Sequence, residues 1–186
     1  MLCSLALSLT LLFASMLIND NNYFFQLWHL ETADYDPIII IFNSWWGGQQ
    51  MMVPMLPRLF FNHFQALSLA AMSEQKWIGF LVGFQSVSDP SIANIHFDGV
   101  DPHHQKMGVA KLLYVEFFDQ VRNVGCTKVW CIVSPANQVS WSFHSSMDFI
   151  KMAILTNYDG LDEDQVLLEK SLEQISEVMW LLYTGL

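Results

Sequence analysis

A change of hydrophobic period at Pro102 constrains the fold of this chain more than any other feature. Before it, residues 92–100 alternate between apolar and polar side chains, which predicts a β-strand. The polar residues predicted to share one face of this strand are Asn94, His96 and Asp98. After it, the apolar residues from Val109 to Val124 follow a helical period, which is typical of an amphipathic helix. A strand joined to a helix by a loop that contains Gly108 indicates a mixed α/β domain.

The remaining patterns place further strands and helices on both sides of this unit. The predicted strands span residues 23–29, 66–72, 77–86, 129–133, 152–156 and 165–172. The predicted helices span residues 38–46, 51–63 and 137–146. The chain has 186 residues, with neither an internal repeat nor a Pro/Gly/Ser-rich linker, so we expect a single domain.

The composition narrows the class of partner. Hydrophobic residues make up 53% of the chain, which is enough for a sizeable core. The formal net charge of −10 opposes binding to nucleic acid and suits a cationic substrate such as an amine, although a solvated acidic surface is the simpler explanation. Cys3, Cys126 and Cys131 form neither a CxxC pair nor a disulfide framework. They favour a reducing compartment, with Cys126 and Cys131 as buried structural thiols.

Two terminal stretches stand apart from the domain. Residues 1–18 are almost wholly apolar but lack the basic n-region of a signal peptide and the basic flanks of a membrane span. We therefore expect a helix packed on the domain, or an extension upstream of the true start, with a signal or anchor as the alternative. Residues 173–186 place apolar side chains at helical spacing, which suggests a packed or dimer-forming helix.

The loop before the amphipathic helix is the candidate ligand site. It consists of Gln105, Lys106, Met107, Gly108, Val109 and Ala110. A helix N-terminus presents unpaired backbone N–H groups and the positive end of the helix dipole, which together hold a pyrophosphate. Gly108 would allow the ligand to approach closely, and Ala110 would keep the first helical turn uncrowded. The sequence has neither GxGxxG nor GK[ST], so the Rossmann and Walker types of loop are excluded, and a tight structural turn is the alternative.

In its context this loop resembles the Q/R-x-x-G-x-G/A signature of the GNAT superfamily of N-acetyltransferases, matched at Gln105, Gly108 and Ala110. The helix, Gly125, a buried strand and Asn137 then follow in the order of that family. The resemblance covers residues 23–172 and implies one α/β (α+β) domain, with a mixed, mostly antiparallel sheet of about six to seven strands flanked by about four helices. Residues 1–22 and 173–186 are then an apolar N-terminal extension and a C-terminal helical extension.

The resemblance also implies the reactants and the binding residues. The cosubstrate would be acetyl-CoA, and the acceptor an amine that attacks the thioester directly, without a covalent acyl-enzyme. The strand ending at Val100 would splay from the strand at residues 129–133, with the pantetheine arm in the gap. The backbone of Gly99 and Val100 would bond this arm and polarise the thioester carbonyl. Residues 105–110 would hold the pyrophosphate, and Asn137 would contact the cofactor from the far side.

The acid predicted from the resemblance departs from the family pattern. Many relatives carry a tyrosine seven residues after this asparagine, as the acid that protonates the leaving thiolate, whereas this chain has His144. Histidine is able to act as that acid, and a half-buried helix histidine is the alternative. The family's glycine before Phe149 is replaced by Asp148, for which the sequence offers no reason.

The predicted base also differs from the residue that relatives use. Relatives use a glutamate at about the position of Asn94, which is unable to act as a base, so His96 and Asp98 are the candidates on the same predicted face. Either residue has a structural role as its alternative. His96, His103 and His104 have no carboxylate or cysteine at ligand spacing, so we expect no metal.

Three functions are consistent with these patterns. The first is acetyl transfer from acetyl-CoA to an amine, on a small molecule more readily than on a protein, by a cytoplasmic enzyme that could be a homodimer. The second is a non-catalytic module that binds acyl-CoA, suggested by the missing tyrosine and glutamate. The third is a membrane-tethered or secreted protein led by residues 1–18.

Overall fold

The structure is a computed structural model that describes residues 15–18, 24–45 and 55–172. Its strands are β1 (Ser15–Ile18), β2 (Phe24–His29), β3 (Leu69–Ser73), β4 (Lys76–Gln85), β5 (Ile92–Val100), β6 (Lys128–Val133), β7 (Ile150–Leu155) and β8 (Gln165–Ser171). Its α-helices are α1 (Tyr35–Trp45), α2 (Leu59–His63), α3 (Val109–Asn123) and α4 (Gln138–Ser146). Three-residue 3-10 turns at 32–34, 65–67 and 102–104 connect some of these elements.

The strands form one sheet in the order β1-β2-β3-β4-β5-β6-β8-β7. Every neighbouring pair is antiparallel except β5 and β6, which are parallel. This confirms the predicted mixed, mostly antiparallel sheet flanked by four helices. The eighth strand arises because residues 15–18 pair with β2. The expectation of a helix is therefore wrong for these four residues, and residues 1–14 lie outside the described part.

Helices cover both faces of the sheet. On one face, α3 buries the stripe of apolar side chains that its period predicts, including Val109, Leu113, Phe117 and Val121. The approach of α3 is close, since a Cβ added to Gly83 of β4 would lie 2.3 Å from the Phe117 ring. On the other face, α1 and α2 pack an aromatic cluster against β4 and β5. In this cluster the ring centroids of Phe42 and Phe80 are 5.2 Å apart.

Several element boundaries differ from those predicted. The helix predicted over 51–63 is helical only at Leu59–His63, because residues 55–58 form a turn around Pro57; residues 51–54 are outside the described part. The strand predicted over 66–72 begins at Leu69, after the 3-10 turn at Gln65–Leu67. The helical extension expected over 173–186 also lies outside the described residues.

Candidate active site

β5 and β6 pair over only the first four residues of each strand. They pair from Ile92 opposite Lys128 to Ile95 opposite Cys131, and no further along the two described strands. Beyond that point residues 97–100 of β5 stay paired with β4, and residues 132–133 of β6 stay paired with β8. Each strand thus keeps its outer neighbour, and a gap opens at the sheet centre. The splay implied by the resemblance is present in the structure.

The glycine loop lies directly after the open end of β5. Asp101 caps the 3-10 turn that begins it, where its Oδ1 accepts from the N–H of His103 at 2.9 Å. Lys106 and Gly108 then take left-handed φ angles of 62° and 86°, which glycine adopts without strain. Gly108 is the residue before α3. The loop therefore connects the open end of β5 to the N-terminus of a 15-residue helix, whose first peptide N–H groups have no partner within the helix.

The side chains of the loop divide into two groups. Gln105, Lys106 and Gly108 are exposed, whereas Val109 is 1% exposed and packs in the core. Val109 is therefore a core residue, and its side chain fixes the start of α3. Met107 and Ala110 are partly buried. The loop combines an anchored end with an accessible one, which suits a backbone cradle for an anion.

Two other predicted cofactor contacts have clear structural surroundings. Gly99 and Val100 pair with Phe80 and Gly79 of β4, so the opposite edge of their backbone borders the gap. Asn137 is the N-cap of α4, where its Oδ1 accepts from the N–H of Ser140 at 3.0 Å. Asn137 is exposed, in the connection between β6 and α4.

A β-bulge separates the two candidate bases. The pairing passes from Phe97 opposite Val82 directly to Ile95 opposite Gly83, so His96 is the extra residue on β5. His96 and Phe97 consequently both face the α1 and α2 side, while Asp98 faces α3. The prediction that Asn94, His96 and Asp98 share one face is wrong, because an extra residue reverses the alternation at that point.

His96 lies near the surface on the α2 side, where its ring is partly covered. Its ring stacks on Phe60 at a centroid distance of 4.0 Å, and its Nε2 lies 2.8 Å from the carbonyl oxygen of Met55. Because a carbonyl only accepts hydrogen bonds, Nε2 carries the hydrogen, and in the neutral ring Nδ1 carries the lone pair. Partial burial lowers the pKa of His96, partly opposed by the contact with Met55. A lone pair kept unprotonated near neutral pH suits a proton acceptor.

Asp98 and His144 are joined through a third residue, Tyr114 of α3. The Tyr114 hydroxyl oxygen lies 3.0 Å from Oδ1 of Asp98 and 3.0 Å from Nε2 of His144. Nδ1 of His144 lies 2.8 Å from the carbonyl oxygen of Ser140. Tyr114 and His144 are 0% and 3% exposed, whereas Asp98 keeps part of its surface accessible. His144 is therefore more deeply buried than the half-buried alternative from the sequence, and both its nitrogens contact protein groups.

The surroundings of Asp98 and Tyr114 favour their neutral forms. Burial raises the pKa of the Asp98 carboxyl, although His144 and the Tyr114 hydroxyl act in the opposite direction. Burial, followed by the proximity of Asp98, raises the pKa of Tyr114 well above its usual value. The buried thiol of Cys131 on β6 also has its pKa raised, first by burial and then by Asp98. This agrees with the prediction of a buried structural thiol.

Tyr114 is the site residue that the sequence reasoning missed. It lies next to Leu113 in the apolar stripe of α3, and its ring packs edge-on against Phe143 at 4.8 Å. A tyrosine on a buried helix face needs a partner for its hydroxyl, and this was the available signal. The partner was concealed because Asp98 reaches the α3 face only as a result of the bulge.

The replacement of a glycine by Asp148 has a structural reason. Asp148 has a φ of 62°, in the left-handed region between α4 and β7. Aspartate tolerates this region better than most non-glycine residues. The turn before Phe149 therefore keeps the conformation for which glycine is suited.

No group of three His, Cys, Asp or Glu side chains that could hold a metal ion occurs among residues 15–18, 24–45 and 55–172. His96 contacts Met55, and His104 pairs with Asp101 at 2.9 Å. Two of the three histidines considered as metal ligands, His96 and His104, therefore have other partners.

Comparison with known proteins identifies the family. Residues 25–149 match the model of the acetyltransferase (GNAT) family. The chain belongs to the GNAT acetyltransferase family. For this GNAT protein, the match confirms the predicted family, the enzyme class and acetyl-CoA as the cosubstrate. No curated protein matches the sequence significantly.

Solved GNAT structures share the fold at low sequence identity. Ard1 from Thermoplasma volcanium is 17% identical, with a TM-score of 0.68 over 81% of this chain and 99% of that one. The ribosomal-protein-S18-alanine N-acetyltransferase from Escherichia coli is 19% identical, with a TM-score of 0.62 over 82% and 97%. Diaminobutyrate acetyltransferase EctA from Paenibacillus lautus, solved with its substrate and coenzyme A, is 16% identical, with a TM-score of 0.62 over 81% and 96%. These likenesses support the fold.

The described part of this GNAT protein contains no helix that is both long and apolar enough to cross a membrane. The boundary of the domain at residues 23–172 stays a prediction, as do the homodimer and the cytoplasmic location.

Proposed function

We propose that this chain is an N-acetyltransferase that moves the acetyl group of acetyl-CoA directly to the amine of a small molecule, with a protein amine as the second choice. The observation that carries this proposal is the opening between β5 and β6, which ends at the glycine loop and the N-terminus of α3. A GNAT protein needs both features together, because one ligand has to reach from the helix terminus into the sheet.

The residues present fit acetyl-CoA. The exposed backbone of residues 105, 106 and 108 and the start of α3 offer N–H groups and a positive dipole end to a pyrophosphate. Lys106 adds a positive charge beside them. The edge of β5 at Gly99 and Val100 offers backbone groups for hydrogen bonds with an amide-containing arm. Bound acetyl-CoA supplies a thioester, whose carbonyl carbon accepts the amine and whose sulfur is the leaving atom.

The two faces of β5 supply the proton acceptor and the proton source. His96 takes the proton of the acylated nitrogen at Nδ1, since its Nε2 donates to Met55. His144 and Asp98 hold the proton for the leaving sulfur. Backbone N–H groups near Gly99 and Val100 stabilise the negative charge that develops on the carbonyl oxygen. No serine or cysteine is needed as a nucleophile; the buried thiol of Cys131, with its raised pKa, is unsuited to that role.

The class of acceptor is supported by charge and by the range of similar proteins. The formal net charge of −10 favours the approach of a cationic amine. Among the similar structures, EctA is in complex with a small diamine-containing acid, and the Escherichia coli protein is named for a protein alanine. Both classes of amine therefore belong in a substrate screen.

Calorimetry with acetyl-CoA tests the binding part of this proposal. We expect Gly108→Glu to weaken binding by at least about tenfold, or roughly 1.4 kcal/mol, because a side chain and a negative charge enter the anion cradle. Val87→Glu is the matched control, since it adds the same charge at a residue that is 94% exposed in the β4–β5 turn. Equal weakening by both variants, or the absence of acetyl-CoA binding to the wild-type protein, would overturn the proposal.

Release of free coenzyme A in the presence of an amine library tests the catalytic part. An acetyltransferase releases coenzyme A with at least one amine. Binding of acetyl-CoA without release for any amine would instead identify the protein as a non-catalytic binding module.

A further inference from the structure

Three titratable side chains from three different elements meet inside the domain. Asp98 comes from β5, Tyr114 from α3 and His144 from α4, and the two contacts that join them both measure 3.0 Å. Asp98 belongs to one arm of the gap, and His144 belongs to the helix that follows the other arm. The contacts therefore form a continuous hydrogen-bonded chain from one side of the site to the other.

The contacts of this chain constrain where its hydrogens lie. The Ser140 carbonyl oxygen is only an acceptor and lies closer to Nδ1 of His144, at 2.8 Å, than the Ser140 hydroxyl oxygen does, at 3.1 Å, so we assign the ring hydrogen to Nδ1. The Tyr114 hydroxyl has one hydrogen and contacts two neighbours, so it donates to one and accepts from the other. One of the two neighbours, Asp98 or His144, must therefore contribute a hydrogen of its own.

Two arrangements satisfy both contacts. In the first, protonated Asp98 donates to Tyr114, which donates to Nε2 of neutral His144. In the second, Tyr114 donates to the Asp98 carboxylate and accepts from Nε2 of doubly protonated His144. Both contain the same number of protons, and they interconvert when two hydrogens shift along the chain. A carboxylate with a neutral imidazole would leave one 3.0 Å contact without a hydrogen, which is costly in a buried site.

We propose that Tyr114 is a positioning residue that joins Asp98 and His144 into one unit holding a single shared proton, and that this unit protonates the leaving thiolate of coenzyme A. The proposal rests on the proposed acetyl transfer. Asp98 is partly exposed, whereas Tyr114 and His144 are 0% and 3% exposed, so the proton leaves the unit at Asp98. His144 and Tyr114 then act through Asp98.

The groups around the unit do not provide a competing charge in the described part of the chain. Cys131, on β6, is a further titratable group that acts on Tyr114 and is itself influenced by Asp98, and burial raises the pKa of its thiol so that it stays neutral. On α4, the hydroxyl oxygen of Ser140 lies 3.1 Å from Nδ1 of His144 and is uncharged. The proton consequently remains within the three residues.

With this unit as the proton source, the protons of the reaction balance. As the C–N bond forms, the C–S bond breaks and its electron pair stays on sulfur. The unit gives one proton to that sulfur at Asp98, while Nδ1 of His96 takes one proton from the acylated nitrogen. Water then returns a proton to the unit and removes one from His96. One amine and one thioester thus give one amide and one thiol.

The variant Tyr114→Phe removes the linking hydroxyl and keeps the ring. Nitrogen-15 shifts of His144 and carbon-13 shifts of the Asp98 carboxyl, followed against pH without acetyl-CoA, report the two ends of the unit. We expect the His144 and Asp98 shifts to change over the same pH range in the wild type, because groups whose interaction exceeds about one pK unit titrate as a pair. In Tyr114→Phe we expect the two transitions to separate by about one unit or more. Tyr158→Phe, in the exposed β7–β8 turn, is the control.

The kinetic prediction for Tyr114→Phe is a fall in kcat of about tenfold or more, with the KM for acetyl-CoA changed less than about twofold. A variant that keeps the wild-type shifts and pH–rate profile, and loses only thermal stability, shows a packing role and overturns the proposal. If the wild-type protein transfers no acetyl group but its two ends titrate together, the proposed function fails and the proton-sharing unit stands. If it transfers acetyl groups but the ends titrate independently, the unit fails alone.

Discussion

His96 and Asp98 are two residues apart on β5, yet they lie on opposite faces of the sheet. His96 lies near the surface beside α2, where Phe60 stacks on its ring and covers part of it. Asp98 faces α3 and bonds to a tyrosine that is 0% exposed. The bulge at His96 produces this difference, because it directs two consecutive side chains to the α1 and α2 side.

The difference shows how one strand serves both halves of a proton exchange. Burial favours the neutral form of each group: it lowers the pKa of His96 and raises the pKa of Asp98. A neutral histidine is a base, and a neutral carboxyl is an acid. Pairs of titratable groups whose pKa values are moved in opposite directions are a frequent basis for acid and base assignments.

The largest effect is expected for Asp98→Asn, which removes the acidic proton but keeps the shape of the side chain. We expect kcat to fall by about a hundredfold or more, since acid–base groups typically contribute 10²–10⁴-fold. Combined with Tyr114→Phe, it should cost little beyond the larger single loss, because both changes disable the same unit. Steady-state rates of the two single variants and the double variant provide the measurement. Fully additive losses would separate Asp98 from Tyr114.

The same variant should change stability in a pH-dependent manner. The folded-state pKa of Asp98 is raised above its unfolded value, so the folded state binds the proton more tightly, and stability falls as pH rises between these two values. Asp98→Asn removes this contribution. The difference in melting temperature, Asp98→Asn minus wild type, should therefore increase as the pH is raised from 4 to 8. A decrease in this difference would contradict the raised pKa.

A smaller effect is expected for His96→Phe, which keeps the stacking on Phe60 and removes the proton acceptor. We expect kcat/KM to fall by roughly tenfold at neutral pH, less than the usual range because water is also able to accept the proton of the acylated nitrogen. The loss of activity that wild-type enzyme shows when His96 is protonated at low pH should disappear. Rates measured from pH 5 to pH 8 test both points.

His63→Phe is the matched control for this variant, because His63 is exposed on the same helix-covered side. It should behave as wild type. Equal losses in the two histidine variants would remove the distinction between His96 and its neighbours, and with it the assignment of the base.

The strands and helices with strong periodicity were predictable from sequence. β5 was predicted over its observed residues, and α3 and α4 agree within a residue or two of their ends. The glycine loop was recognisable because Gly108 and the following helix are adjacent in sequence. Local patterns are sufficient for features of this kind.

The unpredicted features depend on contacts between distant residues. The bulge is set by the pairing of β5 with β4, and strict alternation gave the wrong face for Asp98. Tyr114 meets Asp98 and His144 from 16 and 30 residues away. The helix predicted over 51–63 was too long because the turn at 55–58 interrupts its apolar period.

A crystal structure of the protein with coenzyme A would locate the cofactor site. We predict electron density for the pantetheine arm between residues 96–100 of β5 and 132–133 of β6, where the strands separate. The pyrophosphate should lie about 3 Å from backbone N–H groups of residues 106–110. Coenzyme A bound elsewhere, with the opening between β5 and β6 filled by side chains of the protein, would rule out this opening as the cofactor site.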